Sequence, residues 1–167
     1  CSISPDGAYV ASASEDHTLK VWSLEHGAEI ATLRGHKDAV WDCRYSPDGR
    51  FLVSSSKDHS LRVWDSSTWE LCAVLERHSH GVPGCAVGPH SERFYSTGLD
   101  RKLCMWDANA GDLLAVRDCS HPLVRCCVSP DGKSILVTCE DHSLRLWDLE
   151  NGQELKAYRG HLKGVWC

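Results

Sequence analysis

Two sets of residues in this sequence have the types and spacing to do chemistry. His36, Ser54 or Ser56, and Asp58 supply a base, a hydroxyl and a carboxylate, the parts of a hydrolytic triad. Cys119, His121, Cys126 and Cys127 fall within nine residues and offer soft metal ligands. Neither set reads as a site. The His, Ser and Asp set recurs along the chain, always with a Trp, whereas a catalytic centre occurs once per domain. The Cys and His set contains no Cys-x-x-Cys pair and would sit on one strand and its approach. No glycine-rich phosphate loop is present. The sequence therefore predicts no catalytic residue, no metal site and no cofactor.

The recurrence organises the whole chain. Trp22, Trp64, Trp106 and Trp147 are spaced 42, 42 and 41 residues apart, and so are Cys1, Cys43, Cys85 and Cys126. This divides the chain into repeats at 1–42, 43–84, 85–125 and 126–167. Three repeats carry Ser-Pro-Asp-Gly, at residues 4–7, 46–49 and 129–132, and the third reads Gly88-Pro89-His90-Ser91. Pro presets φ and Gly supplies positive φ, so these are tight turns. Segments such as Phe51-Leu52-Val53-Ser54 and Leu144-Arg145-Leu146-Trp147 read as short strands. Asp58-His59-Ser60 and its counterparts suit hairpin tips. Gly27, Gly111 and Gly152 mark the next turn, where the second repeat has Trp69, read equally as a side patch or a surface cap. Each repeat thus predicts four antiparallel strands, an all-β fold.

Gly35-His36 followed by Trp64-Asp65, and Trp147-Asp148 followed by Gly160-His161, resemble the WD-repeat (β-transducin repeat) family across the whole chain. The resemblance implies one propeller blade per repeat and about seven blades in a ring. Cys1 falls in mid-strand and the matching Gly-His lead-in stands at residues 160–161. The expectation is an arc of a larger propeller that self-associates when isolated. The resemblance also implies a structural tetrad within each blade: His36, Ser54 or Ser56, Asp58 and Trp64 in the second, and His78, Ser96, Asp100 and Trp106 in the third. Asp16 with Trp22, Asp141 with Trp147, and His161 are partial sets. Val137 and Cys139 stand where the fourth repeat would carry Ser, and a one-residue deletion leaves His121 out of register.

For partner binding, the resemblance points to one face of the propeller. The positions it marks there are Ala39 and Trp41, Gly81 and Pro83, Leu123 and Arg125, and Gly164 and Trp166, together with Glu15, Lys57, Leu99 and Glu140. Trp41 and Trp166 are either interface anchors or packing between blades, and Arg125 is a candidate anchor. The function expected is an intracellular, non-enzymatic scaffold, cytoplasmic or nuclear, that binds a protein or peptide. The alternatives are the sensor region of a larger signalling protein of the nucleotide-switch ATPase type, and a ubiquitin-ligase substrate receptor. The latter is weakened because no Trp-Asp-x-Arg/Lys occurs. Composition agrees with this frame. Of 167 residues, 42% are hydrophobic and 25% charged, with a formal net charge of −5. That excludes disorder and disfavours broad phosphate binding, so no nucleic-acid partner is expected. No apolar run is long enough for a membrane helix. The ten cysteines are read as reduced thiols in a repeated packing slot rather than as disulfides.

Overall fold

The computed structural model describes residues 1–166. These form four four-stranded antiparallel sheets, each built from consecutive strands. The first contains β1 (Ser2–Ile3), β2 (Tyr9–Ala13), β3 (Leu19–Ser23) and β4 (Glu29–Leu33). The second contains β5 (Val40–Tyr45), β6 (Phe51–Ser56), β7 (Ser60–Asp65) and β8 (Leu71–Glu76). The third contains β9 (Gly84–Val87), β10 (Arg93–Thr97), β11 (Lys102–Asp107) and β12 (Leu113–Asp118). The fourth contains β13 (Leu123–Val128), β14 (Ser134–Cys139), β15 (Leu144–Asp148) and β16 (Glu154–Tyr158).

Local chemistry sets the turns. In Ser46-Pro47-Asp48-Gly49, the Ser46 hydroxyl donates to Asp48 Oδ1 at 2.6 Å and Gly49 N–H to the Ser46 carbonyl at 2.9 Å, with Gly49 at φ 75°. Ser91, at φ 60°, takes the glycine's place in the third sheet. At the opposite end, His17, His59, Arg101 and His142 turn the hairpins at φ 70°, 73°, 65° and 66°. The positive φ expected at these tips falls on the residue after the Asp. Each outer strand also carries one bulge against its neighbour, opposite Val21/Trp22, Val63/Trp64, Met105/Trp106 and Leu146/Trp147. Such bulges break the regularity of an exposed sheet edge.

The core lies between sheets rather than within one. Leu19, Val21 and Leu33 of the first sheet pack on Cys43, Tyr45, Leu52 and Trp64 of the second. Val53, Leu61, Val63 and Leu75 of the second pack on Cys85, Phe94 and Trp106 of the third. Ala86, Tyr95 and Leu103 of the third pack on Leu123, Cys126, Ile135 and Val137 of the fourth. No buried cluster joins the fourth sheet to the first among the described residues. The four sheets are an open arc of propeller blades.

The repeated cysteine slot has a defined place in these seams. Cys43 and Cys85 each direct the thiol at a carbonyl of the preceding sheet, Ala11 at 3.5 Å and Val53 at 3.8 Å. Burial pushes the Cys85 thiol well above its ordinary value and Cys126 up to about 12. Both therefore stay protonated and act as small hydrophobes. All cysteines among the described residues are free.

Close approach of the third and fourth sheets depends on Gly84. A Cβ there would lie 2.8 Å from the Val124 carbonyl and 3.0 Å from Arg125 Cα, both backbone. Gly84→Ala is expected to destabilise the fold by about 1–3 kcal/mol, measured as a lower urea midpoint at unchanged slope.

Candidate functional site

Each complete tetrad is a relay inside one blade. Trp64 Nε1–H donates to Ser54 Oγ at 2.9 Å, and Ser54 Oγ lies 2.9 Å from His36 Nε2. His36 Nδ1 lies 2.8 Å from Asp58 Oδ2. The third sheet repeats this with Trp106, Ser96, His78 and Asp100 at 3.0, 2.8 and 2.9 Å. One proton arrangement satisfies every group: a neutral imidazole donates from Nδ1 to the carboxylate and accepts the seryl proton at Nε2. Ser54, not Ser56, closes the relay. Ser56 donates instead to the Ala39 carbonyl at 2.8 Å, anchoring the loop before β5.

The set is unsuited to nucleophilic catalysis. Ser54 and Ser96 have no exposed surface, and each hydroxyl is held between an indole and an imidazole. Burial holds His78 below its ordinary 6.5, with Asp100 opposing. Burial alone would raise Asp58, yet hydrogen bonds from His36, Ser60 and the Lys37 and Ser60 amides hold it below 3.8.

The incomplete blades differ in instructive ways. In the first, Trp22 Nε1–H still finds Ser12 Oγ at 3.0 Å, while Asp16 accepts from Thr18 at 2.6 Å. In the fourth, Val137 takes the serine's place and the Trp147 indole N–H is buried without a partner. Arg145 reaches Asp141 at 3.0 Å and Glu154 at 3.1 Å, with His121 Nδ1 3.4 Å from Asp141. His161 is exposed.

Loops between sheets and the β2–β3-type hairpin tips share one end of the arc. Backbone bonds fix which residues are equivalent there. Lys57 N–H donates to the Ala39 carbonyl, Leu99 to Gly81 and Glu140 to Pro122. The fourth sheet therefore presents Pro122 and Val124 where the sequence pointed to Leu123 and Arg125. This corrects the register by one residue: the deletion is absorbed before residue 122, and Leu123 is fully buried in the seam with the third sheet. Arg125 is displaced to the inner position held by Asp42 in the second sheet, since both lie just past a bulge.

Arg125 nonetheless reaches this end. Its Nη1 lies 2.6 Å from Asp42 Oδ2, off the hydrogen-bonding axis, and its Nη2 donates to the Trp41 carbonyl at 3.3 Å. Asp42 is 4% exposed and also accepts the Cys43 amide at 3.0 Å. Trp41 is half-buried. One edge of its ring packs on Gly81, where a Cβ would come within 2.6 Å, and the rest borders a cavity of about 310 Å³. Pro83, Leu99, Val124, Arg125, Glu140 and Trp166 complete that cavity. Ala39 and Gly81 are buried, and Glu15 and Lys57 are exposed on the same end. The Asp42–Arg125 bridge was not legible, because its partners lie in different repeats with no fixed spacing.

The sequence profile described as "WD domain, G-beta repeat" matches residues 1–23, 27–65, 69–107 and 113–148. A 41-residue stretch is 49% identical to U3 small nucleolar RNA-associated protein 13 of Saccharomyces cerevisiae, covering 25% of this chain and 5% of that protein. The chain spans a small part of that relative.

The relay has a pH signature. Folded His78 protonates less readily than in the unfolded chain, so its contribution is full above about pH 6.5 and is lost as pH falls below that. The depressed Asp58 contributes above 3.8 and is lost below it. Urea midpoints read by tryptophan fluorescence should fall in two stages on acidification, and His78→Gln should remove the first. Ser54→Ala strands the Trp64 N–H and His36 Nε2, and is expected to cost about 2 kcal/mol at pH 7.5 in the same assay.

Proposed function

Because this chain belongs to the WD-repeat family, we propose that it is a protein-interaction scaffold whose loop-bearing end holds a peptide or protein segment. The observation that carries this reading is the convergence of three sheets on one cavity. Trp41 comes from the second, Pro83 and Leu99 from the third, and Val124, Arg125 and Glu140 from the fourth. A concave, mainly apolar wall with an aromatic anchor and a few polar groups is the usual form of a recognition site. The strands beneath it are rigidly paired, so the wall is preorganised.

The polar groups with catalytic chemistry point elsewhere, into the relays, where each is already satisfied. This supports binding rather than turnover as the role of the exposed surface. Arg125 is held by Asp42 and shapes the wall, while Glu140 is exposed at its rim.

The test is affinity capture with the tagged chain, comparing wild type with Trp41→Ala and Leu99→Glu. Partners captured by wild type should drop at least fivefold with both variants, with unfolding midpoints close to wild type. An exposed substitution at the other end, Glu150→Lys, should leave capture unchanged. Equal capture by all four proteins would overturn the assignment of this face.

A further inference from the structure

The opposite end of the arc has a second cavity, of about 390 Å³, between the first and second sheets. Its walls are Tyr9, Tyr45 and Trp69, with Asp6 and Asp48 entering from the two equivalent Ser-Pro-Asp-Gly turns. Three independent features mark it.

Trp69 occupies the turn position filled by Gly27, Gly111 and Gly152, and adopts the same left-handed backbone, φ 63° against 64°, 73° and 70°. A residue with a Cβ is strained there, and glycine makes the turn without that cost. The tryptophan adds an indole over the cavity, edge-on to Tyr9 at 5.6 Å and 80°. Tyr45 is 8% exposed, and its hydroxyl has neither accessible surface nor a hydrogen-bond partner. A buried phenol normally finds one. Asp6 and Asp48 each use Oδ1 for their own turn, accepting Ser4 at 2.5 Å and Ser46 at 2.6 Å. Neither forms an ion pair among the described residues, and the cation nearest Asp48 in sequence, Arg50, lies over the Phe51 ring at 4.9 Å.

We propose that this cavity binds an alkylammonium group bearing at least one N–H, of the kind that ends a lysine side chain. Aromatic faces attract a cation through their quadrupoles. The two carboxylates supply opposite charge, and their Oδ2 atoms, which the turns leave unused, accept the N–H. A bare metal ion is a poor match, because the aromatic walls offer no ligands and the carboxylates stand on separate turns. The site lies at the far end from the Trp41 cavity and stands independently of that reading.

The test titrates the ¹⁵N-labelled chain with n-butylammonium chloride and follows the tryptophan indole N–H signals. The Trp69 signal, assigned by its loss in Trp69→Gly, should shift saturably while the others stay in place. n-Butanol and matched sodium chloride should leave it unmoved, and tetramethylammonium, which lacks an N–H, should bind several-fold more weakly. Asp48→Asn keeps the turn bonds and should weaken binding about fivefold. Trp69→Gly should lose the butylammonium-induced rise in melting temperature. An acetylated Gly-Lys-Gly amide identifies the source: tighter binding than butylammonium indicates a lysine within a polypeptide, and weaker binding indicates a free amine. No saturable shift, an equal response to butanol, or full binding by Asp48→Asn would overturn the proposal.

Discussion

The second and third sheets are apolar on both faces, and no sheet can bury both by itself. That constraint governs the rest. Leu52 and Val53 are neighbours on β6, point to opposite sides, and have no exposed surface because one faces the first sheet and the other the third. Burying a side chain of this size stabilises by about 2 kcal/mol, so each seam dominates the energetics of the two sheets it joins. The tetrads work within that frame. They place an indole, an imidazole and a carboxylate in the second and third sheets without leaving a donor or acceptor unmatched.

In the fourth sheet the pattern lapses, and packing and polar matching come apart. Val137 keeps the seam packed but gives the Trp147 N–H nothing to meet. Arg145 then binds Asp141 and Glu154, with the displaced His121 imidazole 3.4 Å from Asp141. Burying a charge requires compensation on more than one side, and the two carboxylates provide it. This blade keeps the packing of its neighbours and replaces their polar arrangement.

The fold was legible because its signals are local and repeated. Pro-Asp-Gly specifies a turn wherever it stands, and the tryptophan spacing sets the period. The choice between Ser54 and Ser56 was not legible: both lie on the same strand face, and only the position of His36 separates them. The fourth sheet's rim residues were assigned one place too late, because a deletion has no sequence mark showing where the backbone absorbs it; the hydrogen bond from Glu140 to Pro122 supplies that mark. Trp69 was visible as a departure from glycine, but its meaning depends on Tyr9 and Tyr45, which only the stacking of two sheets brings to it.

The cysteines in the seams give the arc a built-in clock. Cys43, Cys85 and Cys126 are buried at successive positions where one sheet meets the next. A thiol reagent reaches Cys43 and Cys85, which have no exposed surface, only when their seams part, whereas Cys126 also borders an open cavity. The labelling rate at Cys43 or Cys85 therefore counts openings of one boundary. Cys43 and Cys85 report on adjoining seams, so their relative rates resolve whether those two boundaries open one at a time or together.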